Sequence, residues 1–423
     1  MRYWLIIGIL AIVMINEYRK YKYVLCATVV YPVPWIFSLY AISISNFYDV
    51  SYSTLSIIVL GYLLFCFAFR FFSSPISIIN SVKKMNFDIS KHWDSLNIVF
   101  LFSIIVGSIY LYFMRSQFSL LAFSQSFREL YRADLGIGFF VYFSYIPKCT
   151  LWFFSILFGL LLNPYNNQKY KRYRFNFICK YLILLFFNII ICIPGFSRTM
   201  LLYTFTPAII NFFVAKGLKN KNVLLFFLFG IISFMGLFIS FSMLKHQYLY
   251  LGKDIKEIAL NQILAYMGGG IVAFDQLRQT IGIDWISLNG GGVYTFRGLL
   301  GLFDRLLETH YAQPILQDFI IISSSFARTN VYTVYEWASK DFGVLYSILL
   351  QLVYGFIYGT LYKGIGRGKI MSLYWYSALF YPLVIMFFQD QYSALGAVWI
   401  IVYVSTLIII KISQIKLKII ING

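Results

Sequence analysis

Residues 52–72 read YSTLSIIVLGYLLFCFAFRFF. A single cation, Arg70, sits near the end of an otherwise uncharged run. At about 1.5 Å per residue, a helix of this length crosses a hydrocarbon core about 30 Å thick. Every backbone N–H and C=O inside lipid needs an internal partner, so the run reads as a membrane-spanning helix. The rest of the chain repeats this pattern. Of 423 residues, 60% are apolar, 21% aromatic and 12% charged, where a soluble chain is nearer one quarter charged. That composition excludes a string of soluble domains, a disordered chain and a disulfide-rich scaffold.

Eleven apolar runs are read as spans: roughly 3–15, 24–45, 52–72, 96–114, 137–162, 177–194, 200–215, 223–244, 343–362, 370–388 and 394–412. The expected fold is an all-α, polytopic integral membrane protein. It divides into an N-terminal bundle (1–244), a large loop (245–342) and a C-terminal bundle (343–423). Cys26, Cys66, Cys149, Cys179 and Cys192 all fall within spans and are expected to be buried apolar residues rather than disulfide partners.

The net charge of +19 is sorted by face. Placing the N-terminus outside makes 16–23, 70–95, 163–176, 216–222, 363–369 and the tail from 411 inner loops. These hold twenty Lys and Arg, whereas the short outer loops 46–51 and 389–393 hold none. This is the positive-inside pattern, and it removes any need for a nucleic-acid partner. The two faces also differ in which cation they use. The inner loops carry 15 Lys and 5 Arg, and the outer side 4 Lys and 9 Arg. Topology treats the two alike. Guanidinium, however, grips phosphate or carboxylate through two parallel hydrogen bonds, so the outer arginines point to an anionic ligand.

Arg198 lies in a turn without an acid of its own. Arg128 and Arg132 are four apart, on one face if helical, and can clamp one phosphate or pair with Glu129 and Asp134. Arg297 and Arg305 read better as partners of the loop's own acids. Lys253–Met267 has helical spacing, and Gly268-Gly269-Gly270 is expected to end it before a second helical stretch from Ile271. Such helices would lie at the membrane interface, either capping the bundle or walling a cleft. Asn289-Gly290-Gly291-Gly292 reads as a flexible turn.

Two segments resemble bacterial oligosaccharide repeat-unit polymerases of the Wzy type. Gly195-Phe196-Ser197-Arg198-Thr199 looks like their arginine-bearing turn. Arg328-Thr329-Asn330-Val331-Tyr332-Thr333, followed by Asp341-Phe342-Gly343, looks like the end of their large periplasmic loop. The span number and the late large loop are similar too. The resemblance implies a GT-C-like fold in the bacterial inner membrane, with the N-terminus periplasmic and the C-terminus cytoplasmic. It implies transfer of a growing glycan from undecaprenyl pyrophosphate to the next lipid-linked repeat unit, in O-antigen or capsule synthesis.

Fixed cations aimed at the departing pyrophosphate would be the main catalytic device. Arg198 and Arg328 are the first candidates, with Arg128, Arg132 and Arg278 as further phosphate ligands. Asn330, Tyr332 and Thr333 are candidate glycan ligands, although turn or cap chemistry fits Asn330 and Thr333 equally. The acceptor hydroxyl needs a base. Asp341 and Glu336 lead Asp275 and His310 there, with a helix cap as the other reading of Asp341. No cofactor or metal is expected, because arginine supplies the charge. The partners are the lipid-linked oligosaccharide and membrane lipids, and the sequence is silent on a chain-length regulator. An O-antigen ligase shares this topology. A flippase fits less well, because charges within the spans are few (Lys148 and Lys180).

Overall fold

A computed structural model describes residues 1–76, 78–85, 87–115, 140–164, 171–192, 198–226, 255–287, 290–307, 311, 319–324, 327–393 and 395–414. The chain is an α-helical polytopic membrane protein. Among the described residues, eight helices are long and apolar enough to cross a membrane. Of the other expected spans, 3–15 lies within α1 (Arg2–Tyr21), which is longer and more polar than anticipated. The run 370–388 is two short helices, and 223–244 lies mostly outside the described residues.

The chain forms two compact units. Unit 1 comprises Met1–Ser77, Asn220–Lys363 and Pro382–Ala397; unit 2 comprises Ile78–Lys219, Gly364–Tyr381 and Val398–Gly423. In chain order, α2 (Ala27–Val30), α3 (Pro32–Ile44) and α4 (Tyr52–Phe72) follow α1. Next come α5 (Ile78–Lys84), α6 (Trp93–Phe113), α7 (Tyr145–Leu162), α8 (Lys171–Cys192) and α9 (Arg198–Lys216). The large loop contributes α10 (Ile255–Ile281), α11 (Arg297–Leu307) and strands β1 (Ile320–Ile321) and β2 (Arg328–Thr329). The chain closes with α12 (Glu336–Phe342), α13 (Val344–Gly366), α14 (Ile370–Ala378), α15 (Phe380–Ile385) and α16 (Gly396–Gln414).

Proline sets the break between α2 and α3. Pro32 has no N–H to offer the Thr28 carbonyl four residues back. The Tyr62 hydroxyl of α4 takes that carbonyl instead, at 2.7 Å, and the Tyr31 and Tyr62 rings stack at 5.2 Å. The α14–α15 break likewise falls at Leu379, just before a helix with Pro382 in its first turn, where a missing N–H costs nothing.

Contacts gather the loops of unit 1 into two groups. At one end Glu17 pairs with Arg70 (Nε to Oε1 2.5 Å), Tyr21 meets Ser73 at 2.7 Å, and Asn220 accepts the Val24 N–H at 3.2 Å. At the other, Arg2 pairs with Asp49, and the Tyr48 N–H donates to the Ile322 carbonyl at 2.9 Å. Unit 2 shows the first kind of grouping: the Asn163 amide bonds the Ala215 and Lys216 carbonyls, and Gly368 lies against Lys84. Each group contains only loops that the charge alternation assigns to one face.

Three sequence expectations are corrected in the large loop. Helix α10 runs straight through Gly268-Gly269-Gly270. Glycine weakens a helix by about 1 kcal/mol each, but here tertiary packing overrides propensity. A Cβ on Gly268 would strike Ile42, one on Gly269 Ile322, and one on Gly270 the Phe387 carbonyl. The glycines let three neighbours reach the helix backbone, so this stretch is buried rather than laid on a surface. The turn at 290–292 is anchored, as described below, rather than loose. The loop also holds an antiparallel hairpin, Ile320 opposite Thr329 and Ile321 opposite Arg328.

Helices α4 and α13 meet through Gly355 and Gly359, a small-xxx-small pair. Each presents its bare backbone to α4, and a Cβ on Gly359 would lie 2.8 Å from the Phe69 carbonyl oxygen. Overpacking such a contact costs about 1–3 kcal/mol. Gly355→Leu should therefore lower the melting temperature of the purified protein by several degrees. An unchanged melting temperature would show that the helices do not meet there.

Candidate functional site

Segment Tyr332–Asp341 is locked into unit 1. The Val334 N–H bonds the Met386 carbonyl at 2.8 Å, and Tyr335 is held by Tyr31 across 2.9 Å. Tyr31 in turn donates to Gln351 at 3.1 Å, and Trp35 packs on Tyr335 with ring centroids 5.7 Å apart. Thr333 turns the chain into α12: its carbonyl accepts the Glu336 N–H at 3.1 Å and its hydroxyl the Tyr335 N–H at 3.4 Å. Of the two readings left open for Thr333, the turn role is the one its bonds describe.

Asp341 closes α12 against the glycine turn. Its carboxylate accepts the N–H of Thr295 at 2.5 Å and of Tyr294 at 3.3 Å, and its carbonyl accepts the Gly290 N–H at 3.3 Å. A Cβ on Gly290 would collide with it, and Gly291 and Gly292 take φ of 58° and 90°. Asp341 is therefore committed to backbone amides of the turn rather than to a cap on α13.

That turn delivers Arg297, the first residue of α11, onto Trp337. The guanidinium carbon lies 4.5 Å from the Trp337 ring centroid. Lys340 sits 5.2 Å from the same ring, 5.2 Å from Tyr294 and 5.6 Å from Tyr332, and Tyr294 stacks on Trp337 at 5.8 Å. Lys340 Nζ bonds Glu336 Oε1 at 2.7 Å, one helical turn away. Arg297 is 4% exposed, yet neither of its terminal nitrogens has a hydrogen-bond partner among the described residues. The buried Thr295 hydroxyl and Trp337 indole N–H also lack one. Burial pushes the Arg297 pKa below its ordinary value, and Glu336 pulls it back. One carboxylate thus serves two cations, and among the described residues several donors in this cluster have no acceptor. Such a set suits an oxyanion.

A second polar cluster ties the loop to α4. Asp275 accepts from the Ser51 N–H at 3.1 Å, Ser51 Oγ at 2.5 Å, Thr54 Oγ1 at 2.6 Å and the Gln279 amide at 2.9 Å. With four donors on it, Asp275 is an anchor. Arg278 bonds Thr54 Oγ1 at 2.7 Å and Ser53 Oγ at 3.3 Å. Burial lowers its pKa, and Asp275 opposes this.

The structure therefore brings together Glu336, Tyr332 and Asp341 of the expected set, and adds Arg297, Lys340, Tyr294 and Trp337. Arg297 was expected to pair with the loop's own acids; one of these, Glu336, acts on it electrostatically, and its ring contact is the Trp337 face. Arg328 is exposed on β2, and Asn330 is partly buried beyond it. Arg198 opens α9 in the other unit. Arg128, Arg132 and His310 lie outside the described residues, as do the side chains of Arg198 and Arg305. The signal for the missed residues was the spacing Tyr332…Glu336-Trp337…Lys340, which places an acid, an aromatic and a cation on one helical surface.

No family model matches the sequence, and no curated protein and no solved structure matches it.

Asp341 and Arg297 can be told apart by stability. Asp341→Ala leaves buried amides unpaired, at about 1–3 kcal/mol, and should lower the melting temperature. Arg297→Met removes a buried charge that only a shared carboxylate compensates among the described residues, and should hold or raise it. Equal losses from both variants in thermal unfolding would make Arg297 a structural residue.

Proposed function

We propose that the chain is a polymerase of lipid-linked oligosaccharide repeat units: a Wzy-type, GT-C-like glycosyltransferase with about eleven spans. It works at the periplasmic face of the bacterial inner membrane, with the N-terminus outside and the tail in the cytoplasm. The observation that carries this reading is Arg297, a buried guanidinium with both terminal nitrogens unpartnered among the described residues, beside Lys340 and a carboxylate. The cluster lies in the loop that the charge alternation puts outside. The grouping of loops by contact supports that alternation.

The chemistry needs those groups. The acceptor hydroxyl oxygen of the incoming repeat unit attacks the anomeric carbon of the donor glycan. The bond from that carbon to the pyrophosphate oxygen breaks, and its electron pair leaves with undecaprenyl pyrophosphate. The hydroxyl proton goes to Glu336, the carboxylate of the cluster. Arg297 and Lys340 neutralise the charge that grows on the leaving group, the usual largest contribution to catalysis. Lys340 orients Glu336 through their 2.7 Å contact. Exposed Arg328, half-buried Arg278 and Arg198 bind phosphate of the carriers, joined by Arg128 and Arg132. Tyr332 and Asn330 border the glycan, and Thr333 shapes the turn between them and Glu336. No metal or cofactor is invoked.

In a deletion strain, polymer on the carrier lipid should disappear and single repeat units remain. Complementation with Arg297→Met should restore polymer at a rate lower by about 10²–10³, the cost of removing one preorganised donor. Arg198→Lys and Arg328→Lys should be expressed normally and give much shorter polymer, because the two-pronged contact is lost. Accumulation of polymer on the carrier lipid in the deletion strain would assign the ligase reaction instead.

A further inference from the structure

We infer that Lys148, in the second unit, binds the pyrophosphate head of a second lipid-linked substrate; this rests on the polymerase reading for the identity of the lipid. Lys148 lies in the first turn of α7 and is 0% exposed. Three features oppose its charge. It is buried within a membrane-spanning segment, where ionisable groups are costly and mark functional sites. It stands at the positive end of its own helix dipole. It also meets the start of another helix: its Nζ lies 3.1 Å from the Met200 sulfur, in the first turn of α9, which opens at Arg198. Two helix N-termini and an ammonium thus converge.

What the protein offers in return is small. Lys148 donates to the Ser144 hydroxyl at 3.0 Å and lies 4.5 Å from the Tyr145 ring centroid. None of the ion pairs among the described residues includes it. A thioether and one hydroxyl do not balance an ammonium. The buried Tyr203 hydroxyl beside it has no hydrogen-bond partner among the described residues, and its ring packs on Tyr145 with centroids 5.9 Å apart. Methionine at position 148 would fill this space without an unbalanced charge. Lysine at this position therefore points to an anion that the described residues do not supply.

Helix N-termini and a point-charge ammonium suit phosphate. The Tyr145 ring beside Lys148 belongs to an aromatic cluster: it packs on Tyr203, which meets Trp152, Tyr381 and Trp399. Phosphate joined to an apolar tail fits this better than free phosphate does. The proposed reaction consumes two lipid pyrophosphates. Arg297 and Lys340 serve one carrier, and Lys148 serves the other.

The test uses the purified full-length protein in neutral phosphatidylcholine nanodiscs, with farnesyl pyrophosphate as probe. Inorganic pyrophosphate and farnesol run in parallel. Lys148→Met should weaken farnesyl pyrophosphate binding by about tenfold or more, one unit of log Kd. Lys148→Arg, which keeps the charge, should bind close to wild type and guards against a folding artefact. Farnesol should bind all variants alike. Inorganic pyrophosphate binding as tightly as the farnesyl ester would overturn the lipid-bound source. Undiminished binding by Lys148→Met, with loss in Arg297→Met, would overturn the inference and leave the polymerase reading standing. Normal polymer in the deletion strain would instead remove the reading on which the inference rests.

Discussion

A charge carried out of water into a helical bundle needs an opposite charge or a full set of hydrogen bonds beside it. Most buried charges described in this protein obey that constraint, and the fold is organised by how they do so. Glu17 reaches Arg70 and ties α1 to α4 at one end. Asp275 collects four donors and ties α10 to the start of α4 at the other. Asp341 collects backbone amides and fixes the turn that aims α11. Against that background the under-compensated charges stand out. Arg297 shares Glu336 with Lys340 and has its terminal nitrogens idle, and Lys148 has a hydroxyl and a thioether. Both are buried cations that a bound anion would compensate.

Preorganisation follows from the same contacts. A cation held on an aromatic face in a dry setting interacts with a developing negative charge far more strongly than one in water. Trp337 and Tyr294 keep water and alternative partners away from Arg297 and Lys340. Tyr31, Gln351 and the Met386 carbonyl hold the segment that carries Trp337. The site therefore stands on membrane-spanning helices through a short chain of hydrogen bonds rather than on a free loop.

Much of this was legible in the sequence, for specific reasons. Span positions follow from lipid's intolerance of unpaired backbone, so apolarity alone gives 52–72 as the helix Tyr52–Phe72 and 343–362 as most of the helix Val344–Gly366. Loop grouping follows from the Lys and Arg count. The sequence misleads where tertiary packing overrides a local rule. Three consecutive glycines normally end a helix, but α10 continues because Ile42, Ile322 and Phe387 need its bare backbone. Arg297 resembled an ordinary surface pair, because no sequence pattern shows that Trp337 and Glu336 lie beneath it. Asp341 looked like a base or a cap, because its bonds run to residues nearly fifty positions earlier. Lys148 was visible as a charge within a span, but that no described residue forms an ion pair with it is a property of the folded unit.

The claim at the centre is that Arg297 stabilises a departing lipid pyrophosphate. Reconstitution tests it most directly: purified protein in liposomes with lipid-linked repeat units extracted from its host. Wild-type protein should lengthen the glycan and release one undecaprenyl pyrophosphate for each unit joined. Arg297→Met, folded and equally abundant, should do neither at a comparable rate. Equal polymer and equal release from the Arg297 variant would contradict the account.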